Sequence, residues 1–249
     1  MSQTVTDVFK DVLKHTHKLG LFEMVKITGE ATVTELETVD AEKTVIFKGK
    51  LKQPVTEFAD STVGLSRMGV LQGYLEFDDF IQNGDVKIVK QSRNGVDHPV
   101  EVSFESKEGT DAHYRFMLAD VINQQLKSIK FKGAAFDVEF VPTPKNLKDM
   151  KYFNSVLGAY EANFSPKTEN GNLYFYVGDG AADRTKILIA ENIKGDIKRD
   201  WKWPLEVVLK ILALGDNGVA KLCINDQGLL KIEVDSGIGE YTYLLPARS

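Results

Sequence analysis

The feature that most restricts what this chain can fold into is a repeat of element order. Its 249 residues read as helix, strands, helix, strands, and after a polar connector the same order starts again, although the two halves share few identical residues. In the first half, Val5, Val8, Phe9, Val12 and Leu13 recur at the spacing that puts them on one face of a helix over 5–18. Thr4 with Asp7 three residues on makes a capping box, and Gly20 stands where a left-handed C-terminal cap is wanted. The pattern then changes to period two. The β-branched-rich runs 22–28, 31–38 and 43–51 predict hairpin strands, the first two separated by Gly29 and Glu30. Leu65, Met68, Leu71 and Leu75 return to helical spacing and predict a second helix over 62–75, against the tendency of Gly64, Gly69 and Gly73. Alternating runs at 85–90, 99–106 and 111–118 close the half.

Residues 120–134 are polar, with spaced Val121, Ile122, Leu126 and Ile129 but no clean period, and predict a connector lying on a surface. A strand over 136–140 follows. Thr143 and Pro144 are a helix-entry pair, and Leu147, Met150, Phe153, Val156, Leu157 and Tyr160 are expected to line one face of the helix they open. Strands are expected at 173–177 and 186–190, then a helix from Pro204 with Leu205, Val208, Leu209 and Leu212 on one face, stopped by Gly215. Strands at 222–225, 229–234 and 240–245 finish the chain, with turns at 216–218 and 226–228. With 43% hydrophobic and 27% charged residues, each half can bury a core of its own.

Little of the chemistry of enzymes is present. Cys223 is the one cysteine, so the chain by itself holds no disulfide, cysteine-cage zinc site or iron–sulfur cluster, and a reducing cytoplasm suits it. The histidines are His15, His17, His98 and His113; the first two lie two apart on a helix and cannot face one metal. The run from Gly64 to Gly69 is one residue too long for a nucleophile elbow, and no predicted strand enters it, so Ser66 is expected on a helix surface. Gly178, Asp179 and Gly180 lack the third glycine of a dinucleotide fingerprint and predict a turn. The N-terminal twenty residues break their apolar run with charge and make neither a signal peptide nor a membrane span. No catalysis, cofactor, metal or membrane is expected.

Charge is more informative. The formal net charge is -5, yet the windows 5–18, 62–75, 145–160 and 198–214 hold Lys and Arg against Asp and Glu as 3 to 2, 1 to 0, 3 to 1 and 4 to 2. The predicted helices are therefore basic while the rest of the chain is acidic, and one surface could approach a polyanion. Lys10, Lys14, His17 and Lys18 form a row on the first helix, and Arg67, Lys145, Lys148, Lys151 and Lys210 lie on the others, with Lys198, Arg199 and Lys202 just upstream of the last.

The duplicated order, the connector, the segment FDVEFVPTPKNLKDMKYFNSVLG (136–158) and the ending GLLKIEVDSGIGEYTYLLPA (228–247) together resemble a DNA sliding clamp, in particular the processivity factors of T-even-type phages, which are similar in fold to PCNA. In the first half, 58–74 resembles the phage form. The resemblance implies an α+β fold of two similar clamp domains, 1–119 and 135–249, joined by the connector 120–134. It further implies a homotrimeric ring whose helices line a hole for duplex DNA, with the Lys and Arg residues just named touching phosphates without reading bases. Partner peptides, a DNA polymerase's among them, would enter a groove with Val121, Leu126 and Ile129 on one side and Tyr243, Leu245 and Pro246 on the other. Subunit seams would pair 111–118 with 184–192, at Tyr114, Phe116, Ile187 and Ile189. A separate ATPase would load the ring, because the chain has no Gly-rich phosphate loop. His15 and His17, at expected pore positions, and Trp201 and Trp203, before the last helix, depart from the family pattern. A β-rich structural protein with duplicated domains and no DNA role is the alternative reading.

Overall fold

The computed structural model describes residues 3–93, 95–127, 133–178, 182–215 and 220–247. They divide into two units, Met1–Lys130 with Ser236–Tyr241, and Phe131–Asp235 with Thr242–Ser249. Residues 236–241, which chain order alone assigns to the second half, belong to the first unit.

The first unit opens with α1 (Val5–His15), capped as its sequence indicates: the Asp7 amide donates to Thr4 Oγ1 and the Thr4 amide to Asp7 Oδ2, both at 3.1 Å. The helix stops three residues earlier than periodicity suggests. Thr16 leaves helical geometry at φ -130°, ψ -79°, its hydroxyl bonds back to Val12 O at 2.6 Å, and one 3₁₀ turn, His17–Leu19, ends on Gly20 at φ 70°. Val8, Phe9, Val12 and Leu13 are buried as predicted. β1 (Met24–Gly29), β2 (Thr34–Val39) and β3 (Ile46–Leu51) form the antiparallel hairpins expected.

The predicted helix over 62–75 is half wrong. Residues Ser61–Ser66 are a strand, β4, paired along its length with β1, and only Met68–Leu75 is helical, as α2. Val63 and Leu65 alternate as strand residues and are buried, while Leu65 also happens to stand at helical spacing from Met68. Arg67, at φ 51°, separates the two elements. Then come α3 (Asp78–Ile81), β5 (Asp85–Arg93), β6 (Val96–Glu105), β7 (Asp111–Arg115) and α4 (Ala119–Gln125). The connector thus begins as a helix, pinned by Ile122, which is fully buried over Gly64: a Cβ on that glycine would lie 3.0 Å from the isoleucine. Strands β4-β1-β2-β3 are neighbours in one sheet and β5-β6-β7 form another, so β7 is an edge strand.

In the second unit β8 (Val138–Phe140) precedes α5 (Pro144–Leu157), which carries Pro at its first turn and a capping box in which Asn146 answers Thr143. Met150 and Leu157 are buried, but Val156 is exposed and Tyr160 lies beyond the helix end, so the apolar face is narrower than predicted. β9 (Asn163–Glu169) is not legible in sequence because it contains Pro166. The proline nitrogen lies on the same side as the Thr168 amide, which donates to Ile197 O and not to the strand across from it, so no ladder bond is lost. β10 (Asn172–Gly178), β11 (Arg184–Ala190), the two-residue β12 (Trp203–Pro204) and α6 (Leu205–Leu212) follow, then β13 (Ala220–Asn225), β14 (Leu229–Asp235) and β15 (Gly239–Pro246). The sheets run β11-β10-β9-β12 and β15-β14-β13-β8. By sequence, Gly239–Tyr241 of β15 fall in the first unit and Thr242–Pro246 in the second. The predicted turns over 216–218 and at Asp179 and Gly180 lie outside the described residues.

Candidate nucleic-acid interface

Each unit packs one long helix against a second, α1 with α2 and α5 with α6. Burial of the apolar faces of α1 and α5 leaves the lysines on the outside: Lys10, Lys14, Lys18, Lys145, Lys148, Lys151 and Lys210 are all exposed. Applying the observed boundaries changes the charge account. α1 carries Lys10 and Lys14 against Asp7 and Asp11, α6 carries Lys210 against Glu206, and α2 carries no charge. α5 alone keeps a surplus, Lys145, Lys148 and Lys151 against Asp149. The predicted windows are more basic because they run past the helix ends.

The individual cations differ in how far they are neutralised. Lys145 pairs with Asp149 at 2.5 Å and Lys210 with Glu206 at 2.9 Å, each one helical turn away. Lys18 pairs with Glu76 at 3.3 Å, and hydrogen bonds from Gln72 and Lys18 hold the Glu76 carboxyl below its ordinary value. Lys10, Lys14 and Lys18 line a groove of about 540 Å³ together with Gln72, Glu76 and Asp78, so their field is partly cancelled locally. Among the described residues Lys10, Lys148 and Lys151 have no carboxylate within 4.0 Å. Arg67 is exposed at the left-handed cap of α2 rather than on a helix face.

Lys198, Arg199 and Lys202 are not helix residues. They lie in the irregular segment before β12, where Lys198 pairs with Asp196 at 3.1 Å, Arg199 with Asp226 at 3.9 Å and Lys202 with Glu161 at 3.1 Å. Asp226 also accepts the Lys198 and Arg199 amides at 2.8 Å, which makes this stretch a staple of the second unit. The two tryptophans explain themselves here as well. Trp201 donates its indole N–H to Asp226 O at 2.9 Å, and the fully buried Trp203 donates to Leu245 O at 2.8 Å. His15 is not a pore residue: it is buried, stacked on Tyr241 with ring centroids 4.1 Å apart, and 3.7 Å from Asp11.

The predicted groove and seam residues need similar correction. Leu126, Tyr243 and Leu245 are buried, Val121 is 39% exposed and Pro246 is exposed, while Ile129 lies outside the described residues. β7 and β11 are edge strands of their sheets, yet Tyr114, Phe116, Ile187 and Ile189 all point into their own cores. Alternation leaves His113 and Arg115 on β7, and Lys186 and Leu188 on β11, exposed instead.

Two sequence features with possible reactivity, the run from Gly64 to Gly69 and Cys223, can be placed in the structure. Strand β4 does enter the run from Gly64 to Gly69, contrary to expectation, but the left-handed residue is Arg67, and the Ser66 backbone is engaged on both sides by the Tyr114 hydroxyl, which accepts the Ser66 amide at 3.0 Å and donates to its carbonyl. Burial pushes the Cys223 thiol up to about 11, which keeps it protonated and unreactive. Among the described residues no three His, Cys, Asp or Glu side chains converge as metal ligands, and no helix is long and apolar enough to cross a membrane.

No protein-family model matches the chain, and no curated protein matches it in sequence. Solved structures do. PCNA from Thermococcus kodakaraensis aligns with a TM-score of 0.70 over 98% of both chains at 12% identity. The chain has a PCNA-like sliding-clamp fold. PCNA of A. fulgidus, in a structure with the C-terminal region of FEN-1 bound, gives 0.70 at 8% identity over 98% of this chain and 96% of that one. A chain of the PCNA2–PCNA3 complex of Sulfolobus tokodaii gives 0.63 at 11% identity over 98% and 95%. The clamp fold accounts for the mixed helices and antiparallel sheets and extends over essentially the whole chain. At 8 to 12% identity it is a statement about backbone and buried faces, and it leaves the outer helix faces to be judged residue by residue.

Proposed function

We propose that this protein is a DNA polymerase processivity factor, a sliding clamp of the T-even phage type, which closes with two further copies into a ring around duplex DNA. The observation that carries this reading is the match of the full chain to clamps, 98% covered at a TM-score of 0.70, joined to exposed lysines on the helices of both units. In a ring of this kind the work is topological, and the chain needs no catalytic group. The helix cations hold the duplex by its phosphates, which carry no sequence information, so the ring slides. Lys148 and Lys151 are the strongest candidates because, among the described residues, neither makes an ion pair.

The unpaired edges of β7 and β11 are the natural seam, edge of one copy against edge of the next, through main-chain bonds rather than through the buried side chains of those strands. Tethering a polymerase calls for exposed apolar groups, which Leu118 and Val121 supply in the first unit and Pro246 in the second. Loading onto closed DNA falls to a separate ATPase. The phage assignment rests on the resemblance of 58–74, 136–158 and 228–247.

The test is retention on DNA of different topology. Loaded protein is expected to stay on a nicked circle and to run off the same DNA once it is linearised, and its mass in solution should include a trimer. A steady monomer that binds circle and linear DNA alike would overturn the reading.

A further inference from the structure

We propose that the outer row of α5 is a platform for unpaired nucleotides of single-stranded DNA, a role that rests on the clamp reading and adds to it a contact with bases. Lys148, Tyr152 and Val156 stand at successive i, i+4 positions and so form one row, about 6 Å from each residue to the next along the helix. Tyr160 follows four residues later, in the turn beyond the helix end. Tyr152 is 63% exposed, Val156 49% and Tyr160 90%, whereas Asn146, Met150 and Leu157 are buried. An outer helix face is ordinarily polar, so a run of aromatic and apolar groups there calls for a partner.

The row is built rather than loose. Phe153 packs edge-to-face against Tyr152, centroids 5.3 Å apart at 80°, and Ser155 Oγ donates to Tyr152 O at 2.6 Å. Lys148 within the row and Lys151 beside it make no ion pair among the described residues. A suitable occupant therefore brings negative charge together with flat, apolar faces. Single-stranded DNA offers both, since every base has a π-face and each nucleotide a phosphate. A duplex offers the lysines its phosphates but keeps its base faces in the stack. A second copy of this chain would set one lysine row against another.

The full-length protein is tested by anisotropy with a labelled oligothymidylate and with a blunt duplex. Tyr152→Ala and Tyr160→Ala are each expected to weaken oligothymidylate binding about tenfold, while duplex binding changes less than about twofold. Tyr152→Phe should retain both. Lys148→Gln with Lys151→Gln should weaken both ligands and flatten the salt dependence. The inference is overturned if the tyrosine variants bind oligothymidylate as the parent does, if they lose both ligands equally, or if their sedimentation mass changes, which would make the row a contact between copies. Parent protein that does not bind oligothymidylate removes this inference alone; the clamp reading falls separately, if loaded protein is not retained on the nicked circle.

Discussion

The first long helix of each unit follows the same recipe, a threonine cap, a first-turn partner and an apolar face, yet α1 and α5 use their charges in opposite ways. α1 turns a carboxylate inward: Asp11 accepts Ser236 Oγ at 2.7 Å and the Tyr241 hydroxyl at 2.6 Å and lies beside buried His15. Its lysines sit near Glu76 and Asp78. α5 has a neutral asparagine in its capping box, spends its one carboxylate, Asp149, on Lys145, and leaves Lys148 and Lys151 among exposed aromatics. Duplicated order thus preserves what packing requires, the buried face and the cap, while outer positions diverge because substitutions there cost little stability. If the clamp holds DNA, the two units hold it unequally.

The sharpest way to break that comparison is through what anchors each unit. Trp203 is fully buried and bonded to Leu245 O, so Trp203→Ala should cost about 3–5 kcal/mol, read as a lower urea midpoint of the second unit's transition. A single cooperative transition shifted as a whole would show that the units do not unfold independently. The first unit's counterpart is milder. Tyr241→Phe removes the hydrogen bond to Asp11 and leaves the stacked ring in place, for a loss of about 2 kcal/mol.

Alkaline pH offers a second contrast. Burial raises Cys223 from 9.0 to about 11 in the second unit, and Tyr114 from 10.0 to about 12 in the first. In both cases the neutral form is favoured by folding, so stability is full below the unfolded value and falls as pH rises toward the folded one, because the unfolded chain releases its proton first. The second unit should therefore weaken from pH 9.0 and the first from 10.0, each by up to roughly 2–3 kcal/mol. Cys223→Ala should abolish the earlier loss and leave the later one; urea midpoints that stay flat through this range would refute the assignment.

Much of this fold is legible in the sequence because its signals are local. The capping box at Thr4, the helix-entry pair Thr143 and Pro144, the turn glycine Gly20 and the alternating strands all report on neighbours a few residues away. What is not legible depends on distant partners. β4 reads as helix because Leu65 fits both periods, and only pairing with β1 decides between them. β9 escapes a sequence reading because Pro166 is harmless only where its nitrogen faces no strand. In the site, the residue types are visible but their neutralisation is not: Lys198, Arg199 and Lys202 look like helix cations until Asp196, Asp226 and Glu161 are seen beside them. Leu245 and Tyr243 look like groove residues until their burial is known.

Those neutralised cations set up the finest test of the asymmetry between units. Lys148→Glu with Lys151→Glu should lower duplex affinity at least tenfold and reduce the slope of log affinity against log salt by about 0.9 for each phosphate that is no longer neutralised. Lys10→Glu should do less, since Glu76 and Asp78 already weaken the field of that groove. Least of all is expected from Lys145→Gln and Lys210→Gln: each lysine is shared with a carboxylate one turn away, so its removal also frees Asp149 or Glu206, and the exposed pairs themselves are worth only about 0.3–0.5 kcal/mol. Duplex affinity for these two should stay within about twofold of the parent. Equal losses across all five substitutions would mean that the charge acts as a uniform field rather than through the unpaired lysines of α5.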